Sequence, residues 1–329
     1  MLDLLSLPFM QRALIAALIS GLHSPAVGTY IVQRRLSLLG DGLGHVAIAG
    51  VGLAFLLNQA PLPVAVVVAT TGAVIIELLR QTGRASSDVG LAILFYGGLA
   101  TGLLFAGLAG QGAGTLSQYL FGSLTTVTET DLVVMSVLAV IVIVLSLGLG
   151  PQLFAVCADE EYARTKGLPI RALNLLIVIM AAVTVTMSMR TVGLLLVSAL
   201  MVIPVATAVN IAPSFKSTMF TAMLIGALVA VGGTLASAAL DTASGATIVV
   251  SAILVFLISW PVTGLVKALR RNPSTEDPVE IDEPVHHVIA EPHDSMDVSG
   301  RPAVLHGDHV DYLHDGHRHV PHGDHFDEH

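Results

Sequence analysis

RRLSLLGDGLGHVAIAGVGLA, residues 34–54, opens on two arginines and runs into an apolar stretch interrupted by one carboxylate and one imidazole. On a helix, Asp41 and His45 stand four residues apart, so both side chains belong to one face, one turn apart. A borderline divalent ion such as zinc or manganese accepts that mixture of ligands. A carboxylate at membrane depth costs ~2.5–3.5 kcal/mol on insertion scales, and pairing or metal binding offsets the cost. A plainer reading fits the same residues: Asp41 caps the helix at its water-facing edge and His45 is an ordinary interfacial histidine. By themselves the two residues make half of a metal site.

Outward from this stretch the chain repeats its pattern. About 20 predominantly apolar residues span the hydrocarbon core. Runs near that length lie at 10–32, 43–59, 62–80, 88–109, 131–156, 170–187, 191–211, 217–239 and 245–266. The break between the sixth and seventh is the weakest, because only Ser188, Arg190 and Thr191 interrupt the apolar run. The expected fold class is therefore all-α, a polytopic transmembrane bundle of about eight to nine spans. With 54% hydrophobic and 12% charged residues in 329, a water-soluble enzyme is excluded.

Charge sets an orientation. With nine crossings, Arg34, Arg35, Arg80, Arg84, Arg164, Lys166, Arg171, Lys216, Lys267, Arg270 and Arg271 fall on one side, and Arg12 and Arg190 on the other. Short cytoplasmic loops carry the excess of Lys and Arg, so the N-terminus is expected outside and the C-terminus in the cytoplasm of a cell-membrane protein. The first run lacks a small-x-small cleavage site and is expected to stay as a helix.

The net charge of −9 belongs to one segment. Residues 1–271 hold 13 basic and 10 acidic residues, net +3, whereas 272–329 hold 2 and 14, net −12. That second segment also holds 11 of the 13 histidines. With almost no apolar periodicity, it is expected to be disordered without a ligand. Two domains follow, a permease-like body at 1–271 and a His/Asp-rich tail at 272–329.

The tail repeats HGDH at 306–309 and 322–325, with His314, His317 and His319 between. Clustered imidazoles interleaved with acids offer nitrogen and oxygen ligands for Zn, Ni or Co. His306, His309, His314, His317, His319, His322 and His325 are thus candidates for weak metal buffering, against a bland reading as a solubilising tail. His23 is a further candidate ligand, near the middle of the first run and two residues before Pro25, which loosens a helix. Its alternative is a hydrogen-bonded packing histidine. Glu77, near Arg80 and Arg84, reads as an interfacial ion pair. The lone Cys157 makes neither an internal disulfide nor a thiolate zinc site.

The strongly polar segment inside the body is ADEEYARTKGLPIRAL, 158–173. Its acids precede its bases, as a short helix dipole prefers, and Gly167 and Pro169 stop it. Such a helix inserts into a groove of a partner protein, or the segment is a solvated loop whose bases fix topology.

VQRRLSLLGDGLGHVAIAGVGLA (32–54), QYLFGSLTTVT (118–128), DEEYARTKGLP (159–169) and VGLLLVSALMVIPVATA (192–208) together resemble the membrane permease of zinc/manganese-type ABC importers, the ZnuB-like family. The resemblance implies that Asp41 and His45 line the translocation path. It also implies a coupling helix at 159–167, with Glu161, Ala163, Arg164 and Gly167 facing a cytoplasmic ABC ATPase. Further implied are an extracytoplasmic metal-binding protein, a homodimer in membrane lipid, and Zn2+ or Mn2+ as cargo with no tightly bound cofactor. The tail departs from the family pattern. No phosphate-binding G-x-x-x-x-G-K-[ST] loop occurs, so ATP hydrolysis falls to a separate chain. Nucleic acid is not an expected partner. The rival readings are an ATP-independent secondary metal transporter or exporter, which calls for more intramembrane acids and histidines, and a metal-sensing receptor acting through its tail.

Overall fold

The structure is a computed structural model that describes residues 6–83, 87–111, 113–122, 127–189, 192–270, 288–289, 303–306, 309–314, 317–322 and 325–328. It divides into two units, Met1–Leu269 and Arg270–His329.

Proline stands in the first turn of three helices of the first unit, where a missing N–H costs nothing. These are α1 (Pro8–Gln33), α3 (Pro61–Gln81) and α8 (Gly150–Ala158). The other helices are α2 (Leu39–Leu56), α4 (Ser87–Ala92), α5 (Gly98–Leu108), α6 (Ala113–Phe121), α7 (Glu129–Gly148), α9 (Glu160–Thr165), α10 (Ile170–Ser188), α11 (Leu194–Ile211), α12 (Phe215–Leu240) and α13 (Ser244–Arg270). A π-helical turn, Ile93–Gly97, joins α4 to α5.

Among the described residues, eight helices are long and apolar enough to cross a membrane, the α4 to α5 stretch counting as one, and α11 is a shorter apolar helix. Each of the nine runs thus contains helix. The fifth run, read as continuous over 131–156, is broken: α7 ends at Gly148 and α8 starts at Gly150. Gly148, Gly150 and Pro151 carry the cause, since proline in a helix interior removes a hydrogen bond and clashes with the preceding turn. Arg84, Arg190 and Thr191 lie outside the described residues.

Polarity runs opposite to that of a soluble domain. Val133, Leu228 and Trp260 are about two-thirds exposed, at 64%, 65% and 64%, while Ser20, His23, Ser24 and Thr184 are fully buried. Apolar solvent on the outside leaves close packing and interhelical hydrogen bonds as the cohesive forces. Small residues supply the packing. A β-carbon on Gly21 of α1 would stand 2.5 Å from the Gly226 carbonyl oxygen of α12, and one on Gly102 of α5 2.5 Å from the Ile48 side chain of α2. Across the bundle, the Tyr30 hydroxyl donates to the Ser146 carbonyl at 2.6 Å, tying α1 to α7.

In the second unit the described residues form five short strands, β1 (Val288–Ile289), β2 (Ala303–His306), β3 (His309–His314), β4 (His317–His322) and β5 (His325–Glu328), in the order β1-β5-β4-β3-β2, all neighbours antiparallel. In the sequence, Gly-Asp or Asp-Gly separates each consecutive pair among the last four strands. Such dipeptides are the strongest local signal for two-residue hairpins.

Candidate functional site

Helix α2 begins without a side-chain cap: its N-cap is Leu38, and Asp41 sits in its first turn. The Asp41 carboxylate instead accepts a hydrogen bond at Oδ1 from the Ser198 hydroxyl of α11. The capping role open to Asp41 is therefore not the one observed. A carboxylate in the first turn still gains from the helix dipole.

One turn on, His45 is 4% exposed and its Nδ1 lies 2.7 Å from the Asp41 carbonyl oxygen. A carbonyl only accepts, so Nδ1 carries a proton, and in the neutral imidazole the lone pair is then on Nε2. That tautomer is the one that ligates a metal through Nε2, and the backbone bond orients the ring as outer partners of metal-bound histidines do. The Phe95 ring packs over the imidazole, centroids 3.9 Å apart.

Glycines make this arrangement possible. Around Asp41, a β-carbon on Gly40 would stand 3.0 Å from the Ser198 β-carbon, and one on Gly44 2.8 Å from Leu194. On the opposite side, a β-carbon on Gly98 of α5 would stand 2.6 Å from the His45 carbonyl carbon and from the Val46 nitrogen. The His45 backbone is thus seated directly on α5. At the start of α11, Gly193 has φ +87 and would press a β-carbon to 2.5 Å from Gly122 N. The runs 118–128 and 192–208 meet at this point.

His23 belongs to a separate cluster. Its Nδ1 donates to the Ile19 carbonyl at 2.6 Å, its Nε2 faces the Ser188 hydroxyl at 3.4 Å, and Ser188 lies 3.2 Å from the Ser24 hydroxyl. Both ring nitrogens of His23 thus face protein oxygens. Among the described residues, no three His, Cys, Asp or Glu side chains gather as a metal group. Asp41 and His45 stand one turn apart on α2 without a third such side chain among the described residues. Sequence reasoning missed Ser198 and Phe95. Ser198 stood in a quoted run but resembled any small packing residue, and the π-helical turn that carries Phe95 has no sequence signal.

At the other polar cluster, Asp159 caps α9, its Oδ1 accepting from Glu161 N at 2.9 Å and Tyr162 N at 3.0 Å. The helix ends at Gly167, φ +73, where Gly167 N donates to Arg164 O and Leu168 N to Ala163 O, the paired bonds of a Schellman motif. Ala163 is fully buried. Glu161, Tyr162, Arg164, Lys166 and Gly167 are exposed. Glu160 Oε1 accepts from Arg34 Nη2 and from Asn174 Nδ2, each at 3.0 Å. Nearby, Arg80 grips Glu77 through Nε at 2.9 Å and Nη2 at 3.0 Å, the ion pair the sequence suggests.

The family described as "ABC 3 transport family" matches residues 6–263. The high-affinity zinc uptake system membrane protein ZnuB of Haemophilus influenzae is 30% identical over 247 residues, 75% of this chain and 95% of that protein. The manganese transport system membrane protein MntC of Halalkalibacterium halodurans is 29% identical over 259 residues, 78% of this chain and 88% of that protein. Among solved structures, PsaBC from Streptococcus pneumoniae in complex with Fab aligns with a TM-score of 0.73 at 30% identity, covering 82% of this chain and 98% of that one. The match takes in α1 to α12 and most of α13, with the Asp41 and His45 pair and the α9 segment inside it, and the chain is a multi-pass membrane protein of the ABC 3 transport family.

Proposed function

We propose that this chain is the permease subunit of an ATP-driven importer of divalent transition-metal ions, with zinc the preferred cargo and manganese second. The observation that carries the reading is the pairing on α2, where His45, its Nδ1 held by the Asp41 carbonyl, leaves Nε2 as the ring nitrogen open to an ion, one turn beyond the Asp41 carboxylate. An ion delivered by an extracytoplasmic metal-binding protein exchanges ligands with this pair and leaves on the other side, without covalent chemistry. The kinship with ZnuB and MntC supports the metal class, and the imidazole favours zinc over the harder manganese.

Energy enters from a cytoplasmic ATPase on a separate chain. Its docking surface is the exposed face of α9, centred on Glu161, Arg164 and Gly167, with Ala163 rooting the helix in the body. The positive charge near α9 and at the end of α1 supports a cytoplasmic position for this face, which sets the N-terminus outside and the tail inside. Two copies form the pathway as a homodimer in the cell membrane.

The test is metal uptake by vesicles containing the assembled complex, with zinc, manganese, nickel and cobalt compared. Asp41→Ala and His45→Ala are each expected to abolish ATP-dependent zinc uptake at normal protein levels. Near-normal uptake in both removes the pair from the path.

A further inference from the structure

His45 is 4% exposed, so an ion or a reagent reaches its imidazole only past the side chains that surround it. The ring lying against it is that of Phe95, centroids 3.9 Å apart and planes inclined by 39°. The other described ring pairs stand 4.4–6.0 Å apart, and aromatic pairs in proteins ordinarily ~4.5–7 Å. The phenyl ring therefore presses on the imidazole at van der Waals contact.

Two features of the backbone put Phe95 there. Gly98, at the start of α5, lets that helix lie directly on α2, since an added β-carbon would stand 2.6 Å from the His45 carbonyl carbon and from Val46 N. Just before it, the π-helical turn Ile93–Gly97 carries Phe95. Such a turn closes its hydrogen bonds over one residue more than an α-helical turn, which changes the phase of the helix, and π-helical turns recur at functional sites. Phe95 is itself held from behind and beside: the Tyr96 ring stands edge-on to it, centroids 5.3 Å apart at 76°, and Leu94 is buried.

The imidazole needs this second support. Its Nδ1 lies 2.7 Å from the Asp41 carbonyl oxygen, which holds one edge of the ring and leaves it free to tilt about that edge. A flat face against the ring removes the tilt. A nitrogen lone pair lies in the imidazole plane, so fixing the plane fixes the direction in which Nε2 meets an ion. Ligands act well when their rotamers are locked by packing as well as by outer hydrogen bonds.

We propose that Phe95 is the positioning residue of the Asp41 and His45 pair: its ring clamps the plane of the His45 imidazole and shields one face, so that Nε2 meets the ion in a single orientation. The effect on the ion rests on the reading of this pair as the path. The clamp itself belongs to the folded chain, with or without cargo.

Two measurements keep the clamp and the path apart. In the first, the full-length protein in detergent micelles is treated with diethyl pyrocarbonate, which acylates imidazole nitrogen, and modification of His45 and His23 is followed by peptide mass spectrometry. Phe95→Ala is expected to speed modification of His45 at least tenfold. It is expected to leave His23 unchanged, because that ring lies in the separate cluster with Ile19 and Ser188. In the second, vesicles containing the assembled complex take up zinc. Phe95→Ala is expected to raise KM about tenfold with the maximal rate kept within twofold. Phe95→Tyr, which keeps a flat ring, is expected to restore most of the affinity, and Phe95→Leu, which keeps apolar bulk alone, is not. An unchanged His45 rate in Phe95→Ala, an equal rise at His23, or a KM restored by leucine as fully as by tyrosine overturns the proposal. If wild-type vesicles import no zinc, the path reading fails, and the modification rates alone then decide the clamp.

Discussion

Arg34 Nη2 donates to Glu160 Oε1 at 3.0 Å, joining the residue that follows α1 to the one that begins α9. The Arg34 side chain is 8% exposed and that of Glu160 46%. Burial, with Arg80 nearby, draws the Arg34 guanidinium below its ordinary range, so the carboxylate compensates a desolvated charge. The same Arg34 opens the segment that leads into Asp41, and the pair links the proposed docking helix to the proposed path.

Glu160→Gln keeps an acceptor and removes its charge. A hydrogen bond to a charged group is worth ~1.5–3 kcal/mol, and half-exposure of Glu160 argues for the lower end. Vesicle uptake by the assembled complex is expected to fall about tenfold, with unchanged protein in the membrane. Wild-type uptake in both Glu160→Gln and Arg34→Gln sinks the link.

Gly98 carries the second prediction. Gly98→Ala forces a methyl group against the His45 and Val46 backbone, at a cost of ~1–3 kcal/mol for overpacking. Uptake is expected to fall at least tenfold. At Gly97 a β-carbon meets nothing within 4 Å, so Gly97→Ala is expected to transport normally. Equal uptake by the two variants removes the claim that α5 seats His45.

Ser198→Ala removes the donor to Asp41 Oδ1 and leaves the carboxylate charge in place. The site should lose orientation more than affinity for charge. Zinc uptake is expected to drop about tenfold in apparent affinity, measured as KM, with Ser198→Thr restoring most of it. An unaltered KM in Ser198→Ala shows that the hydroxyl plays no part in positioning Asp41.

Cys157, on the short helix α8, answers to pH. Burial pushes its thiol up to about 12, and the carboxylate of Glu160 adds to the rise while Arg34 opposes it. The thiolate is the reactive form, so at pH 8.5 alkylation by iodoacetamide is expected to be at least tenfold slower in the folded protein than after denaturation. Equal rates, followed by mass spectrometry, contradict a half-buried, neutral thiol.

Most of the helical unit was legible because lipid demands long apolar runs, and those runs are visible at Leu43–Ala54 or Val133–Leu145 without any knowledge of contacts. The break at Leu149 was not, since Gly148, Gly150 and Pro151 barely interrupt the hydropathy of the run. Asp41 and His45 were legible as a helical pair, and so was the Glu77 to Arg80 ion pair. Ser198 was hidden because its partner is 157 residues away. Phe95 reaches His45 through a π-helical turn, a change of register that residue types do not announce. The register of β2 to β5 was not legible either, since it shows only once the strands are aligned.

The glycine seams also limit how this protein can be made sturdier. Replacing glycine by alanine at a compatible helical position ordinarily gains ~0.4–1 kcal/mol by restricting the unfolded chain. That route is open at Gly107 and Gly232, where an added β-carbon meets nothing within 4 Å. It is closed at Gly21, Gly98 and Gly102, where the space already belongs to another helix. Stabilising changes must therefore be sought on the lipid-facing turns, and a survey of tolerated substitutions would trace the helix crossings as a row of positions that accept glycine alone.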